Sequence, residues 1–126
     1  MSCNQLGVHG AEALALALPT SSLTKLDLSE NALFSEGMEA LASSIAASSS
    51  LTELVLASNR LSGVWVDRSG QYGAYSAEGL HAITRAMNGS PSLTKVDLSG
   101  NHLTSSDARA LEEANQRMVA PVELIV

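Results

Sequence analysis

An eleven-residue pattern, L-x-x-L-x-L-x-x-N-x-L, occurs three times in this chain and limits its fold more than any other feature. The three copies span residues 23–33, 51–61 and 93–103, and they align without a gap. Because one such unit is too small to bury its own apolar face, this self-similarity indicates units that are stable only when stacked on one another. The sequence therefore predicts a repeat architecture with asparagines at Asn31, Asn59 and Asn101.

Each copy predicts a short strand followed by a helix. Apolar side chains alternate with other residues around Leu26 and Leu28, which is the period of a strand with one buried face. In the segment that follows, residues 37–45, apolar residues recur at helical spacing instead. Serine is a preferred helix N-cap because its hydroxyl accepts a backbone hydrogen bond. The expected N-caps are Ser35, Ser76 and either Ser105 or Ser106.

On these residues the chain resembles leucine-rich repeat proteins of the ribonuclease-inhibitor type, a subtype also found in NOD-like receptors and in the Ran GTPase-activating protein. The resemblance implies an α/β leucine-rich repeat solenoid, a short right-handed horseshoe arc with parallel strands on the concave face and helices on the convex face. Elementary dimensions agree, since strands stack about 4.8 Å apart while helices are about 10 Å wide. The repeats must then curve, with the strands inside.

We expect a single domain over residues 1–126, with about 3.5 to 4 repeats. The expected units are a partial repeat at 4–22, repeats at 23–50, 51–92 and 93–120, and a final strand at 121–126. The first unit lacks its strand, so we interpret the chain as a fragment of a longer array. Terminal repeats usually need a polar capping face, and the uncapped ends therefore predict self-association.

The period breaks once. The spacing of the asparagines is 27 residues from Asn4 to Asn31 and 28 from there to Asn59, but 42 from Asn59 to Asn101. The excess lies near residues 62–75, which contain three of the four aromatic residues of the chain. Trp, Tyr and Arg are enriched at binding hot spots, and loops on rigid scaffolds often carry recognition groups. The candidate partner-binding residues here are Phe34, Trp65, Asp67, Arg68, Tyr72 and Tyr75.

Three interpretations of this insertion remain open. It is a recognition loop whose rings engage a partner, or it is a cover in which Trp65 and Val66 fold back over Phe34 and Leu61. The third interpretation is an insertion without a selected role. The sequence does not decide among them.

Residues between the buried strand leucines are expected to point toward the concave face. One row across the strands alternates in charge and favours cross-strand pairing, worth about 0.2–1 kcal/mol per pair. Its members are Lys25, Glu53, Lys95 and Glu123. The next row suggests a partner footprint instead, with an apolar residue between two carboxylates. Its candidate binding residues are Asp27, Val55 and Asp97.

Charge and composition exclude several functions. Thirteen acidic against seven basic residues give a net charge of −6, which argues against nucleic acid and anionic membranes as partners. The single cysteine, Cys3, and the lack of a signal-peptide pattern favour the cytoplasm, with the nucleus as an alternative. No catalytic motif, metal-ligand spacing or phosphate-binding loop occurs, so we expect neither a catalytic residue nor a metal or cofactor.

These observations predict a non-enzymatic protein-protein interaction module that displays a concave strand surface and an aromatic loop to a protein partner. The alternative follows from the resemblance alone. It is a GTPase-activating or NOD-like-receptor-type regulatory repeat fragment of a larger protein.

Overall fold

The computed structural model describes residues 6–126, apart from the side chain of Asp67. The start of the partial repeat expected at 4–22 therefore lies outside the described residues. Four helices occur in this part of the chain, α1 Gly7–Ala17, α2 Phe34–Ala47, α3 Glu78–Gly89 and α4 Ser105–Gln116, with a 3₁₀ turn at Leu18–Thr20. The strands are β1 Lys25–Asp27, β2 Glu53–Val55, β3 Val64–Asp67, β4 Gly70–Gly73, β5 Lys95–Asp97 and β6 Glu123–Ile125.

Four of the strands form one parallel sheet in the order β1-β2-β5-β6. Their register aligns the central residue of every strand, so that Leu26, Leu54, Val96 and Leu124 are neighbours. The side chains of the first three are buried, whereas their neighbours in sequence are partly or fully exposed. The predicted α/β arrangement with parallel strands and one buried strand face is therefore confirmed.

The helices pack in chain order against one another, α1 on α2, α2 on α3 and α3 on α4. The core lies between them and the sheet and consists almost entirely of leucine, isoleucine, valine, methionine and alanine. Small residues keep the helices close. A side chain at Gly89, for example, would come within 2.8 Å of Cβ of Ala46 on the neighbouring helix.

The three asparagines connect successive repeats through buried hydrogen bonds. Oδ1 of Asn59 accepts from the Asn31 N–H at 2.9 Å, and Oδ1 of Asn101 accepts from the Asn59 N–H at 2.7 Å. The amide of Asn59 also donates to the Leu28 carbonyl at 2.7 Å. We call this series the asparagine ladder. The ladder gives these residues a structural role, because each side chain satisfies backbone groups of its own turn and of the preceding one.

None of the three predicted N-caps lies at the N-cap position. Ser35 lies buried inside the first turn of α2, and no side chain caps that helix. In α4 the cap is Thr104, whose hydroxyl accepts from the Asp107 N–H while the Asp107 carboxylate accepts from the Thr104 N–H. This reciprocal capping box satisfies two backbone donors, which a serine one or two residues later does not do. Ser76 lies one residue before the N-cap of α3, which is Ala77, although its hydroxyl accepts from the Glu78 N–H at 3.2 Å.

Candidate functional site

The insertion folds into a β-hairpin. Its strands β3 and β4 pair antiparallel, with a two-residue turn at Arg68 and Ser69. The hairpin differs from the loop expected from the sequence, because the glycines at 63, 70 and 73 favour bends over strands. Gly63 and Gly73 instead allow close backbone approach, since a Cβ on Gly73 would come within 2.0 Å of the Gly63 carbonyl oxygen. Both have a positive φ, 82° and 84°, which suits glycine.

Three aromatic rings and one guanidinium form a cluster at the base of the hairpin. Trp65 and Tyr72 are directly opposite in the register and stack with their centroids 5.9 Å apart. Phe34 meets the Trp65 ring edge-on at 5.7 Å. The Arg60 guanidinium lies over both, 4.7 Å from the Trp65 centroid and 5.7 Å from that of Phe34. Pair energies of about 0.5–1.5 kcal/mol per aromatic contact are enough to orient the hairpin against the repeats. We call these four residues the aromatic cluster.

Phe34 has an unusual backbone conformation. Its φ is +57°, in the left-handed region that costs bulky residues energy, whereas Gly7 at the same position of the first repeat has a φ of +64°. The Phe34 N–H donates to the Asn59 carbonyl at 3.0 Å, which fixes that conformation. The ring is thereby directed toward Trp65 although glycine is the unstrained residue at this position. Strained backbone of this kind tends to occur at functional sites.

A groove of about 470 Å³ lies beside the aromatic cluster. Trp65 and Val66 form one of its walls. The rest of its lining comes from the residues that immediately precede and follow the three ladder asparagines. These are Glu30 and Ala32, Ser58 and Arg60, and Gly100 and His102.

All six of these turn residues have a positive φ, between 50° and 72°. Five of them are not glycine, so the surrounding hydrogen bonds must impose the conformation. The asparagine ladder supplies those bonds, because each buried asparagine ties the turn to the next one along the sheet. The groove thus has a rigid floor at the carboxyl ends of the strands and an aromatic wall from the inserted hairpin.

The structure brings together only some of the residues predicted from the insertion. Phe34, Trp65 and Tyr72 are in contact, as described above. Arg68 is exposed at the hairpin turn, and the side chain of Asp67 lies outside the described residues. The Trp65 ring packs on Phe34, as the cover interpretation expects, and it also lines the groove, as the recognition interpretation expects.

Tyr75 points away from the cluster and connects the insertion to the next repeat. Its hydroxyl donates to Oδ1 of Asp107 at 2.5 Å, although half of the residue is exposed. Burial alone would raise the pKa of the Asp107 carboxyl, but hydrogen bonds from Tyr75 and Thr104 lower it below its usual value. The same hydrogen bond raises the pKa of the Tyr75 phenol, because ionisation would place two negative charges together.

The second predicted footprint lies on the outward side of the parallel sheet. Asp27 and Asp97 flank Val55 in register. Each carboxylate accepts hydrogen bonds from a serine two residues later, Ser29 for Asp27 and Ser99 for Asp97, through both the hydroxyl and the backbone N–H. The Ser29 bonds lower the pKa of the Asp27 carboxyl. These acids therefore also stabilise the turns that follow their strands.

The charged row beside this footprint forms the cross-strand pairs that its alternation predicts. The Glu53 carboxylate lies 3.4 Å from Nζ of Lys25 and 3.9 Å from Nζ of Lys95. Glu123 stands opposite Lys95 in the register of the next strand pair. The pairs lie at the surface, where such contacts contribute little stability but favour this order of the strands over one that places like charges side by side.

Arg60 lines the groove and was not among the residues predicted from the sequence. Arg68 is the arginine inside the insertion, whereas Arg60 belongs to the regular repeat. Its position in the sequence could have identified it, because Arg60 directly follows Asn59 as Ala32 and His102 follow the asparagines of the other copies. Register within the repeat, and not nearness to the insertion, identifies the residues that line the groove.

Within residues 6–126, no group of three or more His, Cys, Asp or Glu side chains is placed to bind a metal ion. In the same part of the chain, no helix has the length and apolar character required to cross a membrane.

Two segments of the chain match a known family of repeats. The Leucine Rich repeat family model matches residues 21–42 and 89–111, which include β1 and β5 together with the first turns of the helices that follow them. The matches support leucine-rich repeats at the first and third copies of the pattern. A comparison with curated proteins found no match.

Proposed function

We propose that this chain, whose repeats match the leucine-rich repeat family, is a non-enzymatic module that binds a protein partner in the groove beside the aromatic cluster. Leucine-rich repeats generally mediate protein-protein interaction. The groove carries the proposal, because it combines a rigid floor of turn residues with the exposed side of Trp65 and Val66. A preformed site of this kind binds with little ordering cost.

The chemistry of the groove favours a short partner segment with an apolar or aromatic anchor. Trp65 and Val66 offer apolar surface, while Glu30, Arg60 and His102 place polar and charged groups around it. This combination of a central ring with a polar surround is typical of interface hot spots. Asp27, Val55 and Asp97 on the strand face would extend the footprint, as would Arg68 and Tyr72 on the hairpin.

The proposal also includes the repeat subtype, the curvature of the array and the location of the protein in the cell. Regular alternation of strand and helix supports the ribonuclease-inhibitor type, and the greater width of the helices supports a curved array with the strand face inside. A single cysteine supports the cytoplasm, or the nucleus, as its location.

Selection of peptides from a random display library tests the proposal directly. We expect the selected peptides to bind the wild-type chain and to lose about thirtyfold in affinity when Trp65 is replaced in Trp65→Ala, which corresponds to about 2 kcal/mol at a hot spot. Val119→Ala is the matched control, since Val119 is fully exposed and does not line the groove. Equal binding by Trp65→Ala and wild type would contradict the groove as the site.

A second pair of variants separates the groove from the strand face. Asp27→Asn with Asp97→Asn removes both carboxylate charges of the strand face and leaves the aromatic cluster intact. A loss of affinity confined to this double variant would move the binding site to the strand face. A loss confined to Trp65→Ala keeps it in the groove.

A further inference from the structure

Arg60 is half-buried in the wall of the groove, whereas the other four arginines of the chain are exposed. Its guanidinium lies over the Trp65 and Phe34 rings, 4.7 Å and 5.7 Å from their centroids. It forms no ion pair with a described carboxylate, although the lysines of β1 and β5 both pair with Glu53. Arg60 is therefore a cation held in place by rings and without an anionic neighbour among the described groups.

The hydrogen-bond donors of this guanidinium are also available. A guanidinium carries several N–H donors in one plane and stays charged at every pH that a protein survives. Within the described residues, the contacts of this group are those with the Trp65 and Phe34 rings, which provide no oxygen acceptor. A planar ligand with two acceptor oxygens matches such a fork of donors, and a carboxylate is the usual one in proteins.

The floor of the groove has unpaired backbone donors as well. The Asn59 and Leu61 N–H groups both donate to Oδ1 of Asn101, at 2.7 Å and 3.2 Å. The Arg60 N–H between them donates to no group of the described residues, and the same is true of the Ala32 N–H in the preceding turn. The asparagine ladder thus leaves one backbone donor without an acceptor in each of these two turns.

Charge varies along the groove. Glu30, Arg60 and His102 belong to three successive turns, because β1, β2 and β5 are neighbours in the sheet. Glu30 is the one acidic residue among those that line the groove, and it lies in the first turn. A negatively charged group of a ligand is therefore disfavoured there and favoured at the central turn, which carries the guanidinium.

A single carboxylate suits this site better than a phosphate does. One guanidinium binds one carboxylate through two parallel hydrogen bonds. A phosphate carries more negative charge, and the net charge of −6 on the chain repels each added charge of a ligand. The single arginine in the lining is enough for the smaller charge.

The position of Arg60 favours a carboxylate on a side chain over one at the end of a partner chain. Lining residues continue on both sides of the central turn, Glu30 and Ala32 on one side and Gly100 and His102 on the other. An extended segment can therefore pass over Arg60 and continue in both directions. A terminal carboxylate would leave one half of the groove empty.

We propose that the groove selects a partner segment with an internal aspartate or glutamate, whose side-chain carboxylate binds the Arg60 guanidinium. This inference rests on the function proposed above and adds the chemistry of the partner. The acidic residue stands next to the apolar anchor that contacts Trp65, because Arg60 lies over that ring.

A double-mutant cycle tests the contact. The probes are peptides selected on the wild-type chain from a display library with fixed residues on both sides of the random segment, then synthesised with both termini blocked. We expect them to contain an acidic residue, and replacing it by its amide should weaken binding about tenfold. Arg60→Gln should cause a similar loss, and the amide peptide should then bind this variant as well as the acidic peptide does.

Arg85→Gln is the matched control, because it removes the same charge from an exposed position on α3 that does not line the groove. We expect it to bind both peptides as the wild type does. Arg60→Lys keeps the charge but not the planar fork, and it should bind the acidic peptide more weakly than the wild type and more tightly than Arg60→Gln. Circular dichroism melts and Trp65 fluorescence check that the variants keep the fold and the hairpin.

Three outcomes would overturn the proposal. In the first, the amide peptide is weakened as much on Arg60→Gln as on the wild type, so the carboxylate contacts another group. In the second, a free terminal carboxylate replaces the acidic side chain without loss. In the third, phosphoserine at the acidic position binds more tightly, which would assign the site to phosphate.

The two proposals can fail separately. Selected peptides that lack an acidic residue but lose affinity on Trp65→Ala would overturn the role of Arg60 and leave the groove as the binding site. Full coupling between Arg60 and the peptide carboxylate, with equal binding by Trp65→Ala and wild type, would keep the Arg60 contact and contradict the aromatic wall as the source of affinity.

Discussion

The asparagine turns and the inserted hairpin lie side by side at the carboxyl ends of the strands, yet different interactions stabilise them. Each turn depends on a buried asparagine that bonds to backbone groups of two repeats. The hairpin depends on two glycines at its base and on ring contacts at the surface of the repeats. One region is specified by buried polar groups that must be satisfied, and the other by local backbone freedom and stacking.

This difference has a functional consequence. A turn that is tied to both neighbours cannot change without disturbing the whole array, and it therefore provides a fixed floor for the groove. The hairpin contacts the repeats mainly through Trp65, and we expect substitutions in it to destabilise the repeats less than substitutions in the turns. A rigid scaffold combined with a tolerant appendage is the arrangement in which recognition surfaces usually occur.

The largest effect is expected from the turns. Asn59→Ala removes the acceptor of the buried Asn31 and Leu33 N–H groups. It also removes one of the two side-chain donors to the Leu28 carbonyl, which keeps its bond from the Asn31 amide. Because each unsatisfied buried group costs about 1–3 kcal/mol, we expect a loss of about 3–5 kcal/mol in the free energy of unfolding. Urea denaturation followed by circular dichroism measures it. Asn88→Ala, at an exposed position on α3, is the control and should change little.

A smaller and more local effect is expected in the hairpin. Gly73→Ala introduces a methyl group that would meet the Gly63 carbonyl and the Trp65 ring, so it should open the hairpin at a cost of about 1–3 kcal/mol. Trp65 fluorescence should shift to the red, while the urea midpoint of the repeats moves less than in Asn59→Ala. Gly70→Ala shares the positive φ but meets nothing within 4 Å, and it is the matched control. Equal shifts in both variants would show that backbone strain, and not the contact, governs the hairpin.

The sequence predicts the strands and turns of the repeats well, because the same pattern of apolar residues and asparagine occurs three times. Leu26 and Asn31 recur in register with identical roles, so the strands, the turns and the charge pairing of Lys25 with Glu53 all follow from the pattern. The hairpin occurs once and has no internal copy to compare with. Its strands could be inferred only from Val64, Trp65 and Val66, a β-favouring run whose signal the neighbouring glycines obscured.

The site was predictable only in part for the same reason. The aromatic residues were identifiable by composition, but their contacts depend on how the hairpin folds back on Phe34. Arg60 was identifiable by register, since it follows a ladder asparagine. The bond from Tyr75 to Asp107 joins residues 32 positions apart in two different repeats, and no local pattern encodes it.

That bond provides the smallest predicted effect, and it connects the insertion to the next repeat. Tyr75→Phe removes a hydrogen bond to a buried carboxylate and should lower the free energy of unfolding by about 1 kcal/mol at neutral pH. Tyr72→Phe is the control, because the Tyr72 hydroxyl donates to the hydroxyl of exposed Ser69 at 2.7 Å and not to a buried carboxylate. Differential scanning calorimetry of the three proteins measures the difference.

The pH dependence distinguishes this charged hydrogen bond from any other effect of removing the Tyr75 hydroxyl. Since the pKa of Asp107 is lowered on folding, its contribution is present above the unfolded value of about 3.9 and is lost as the pH falls through the folded pKa. The pKa of Tyr75 is raised, so the contribution is also lost as the pH climbs above about 10 and through the folded pKa. The deficit of Tyr75→Phe relative to wild type should therefore be greatest between these limits and shrink on both sides. A deficit of constant size across the whole range would show that the hydroxyl of Tyr75 does not stabilise the fold through its bond to the ionised Asp107 carboxylate.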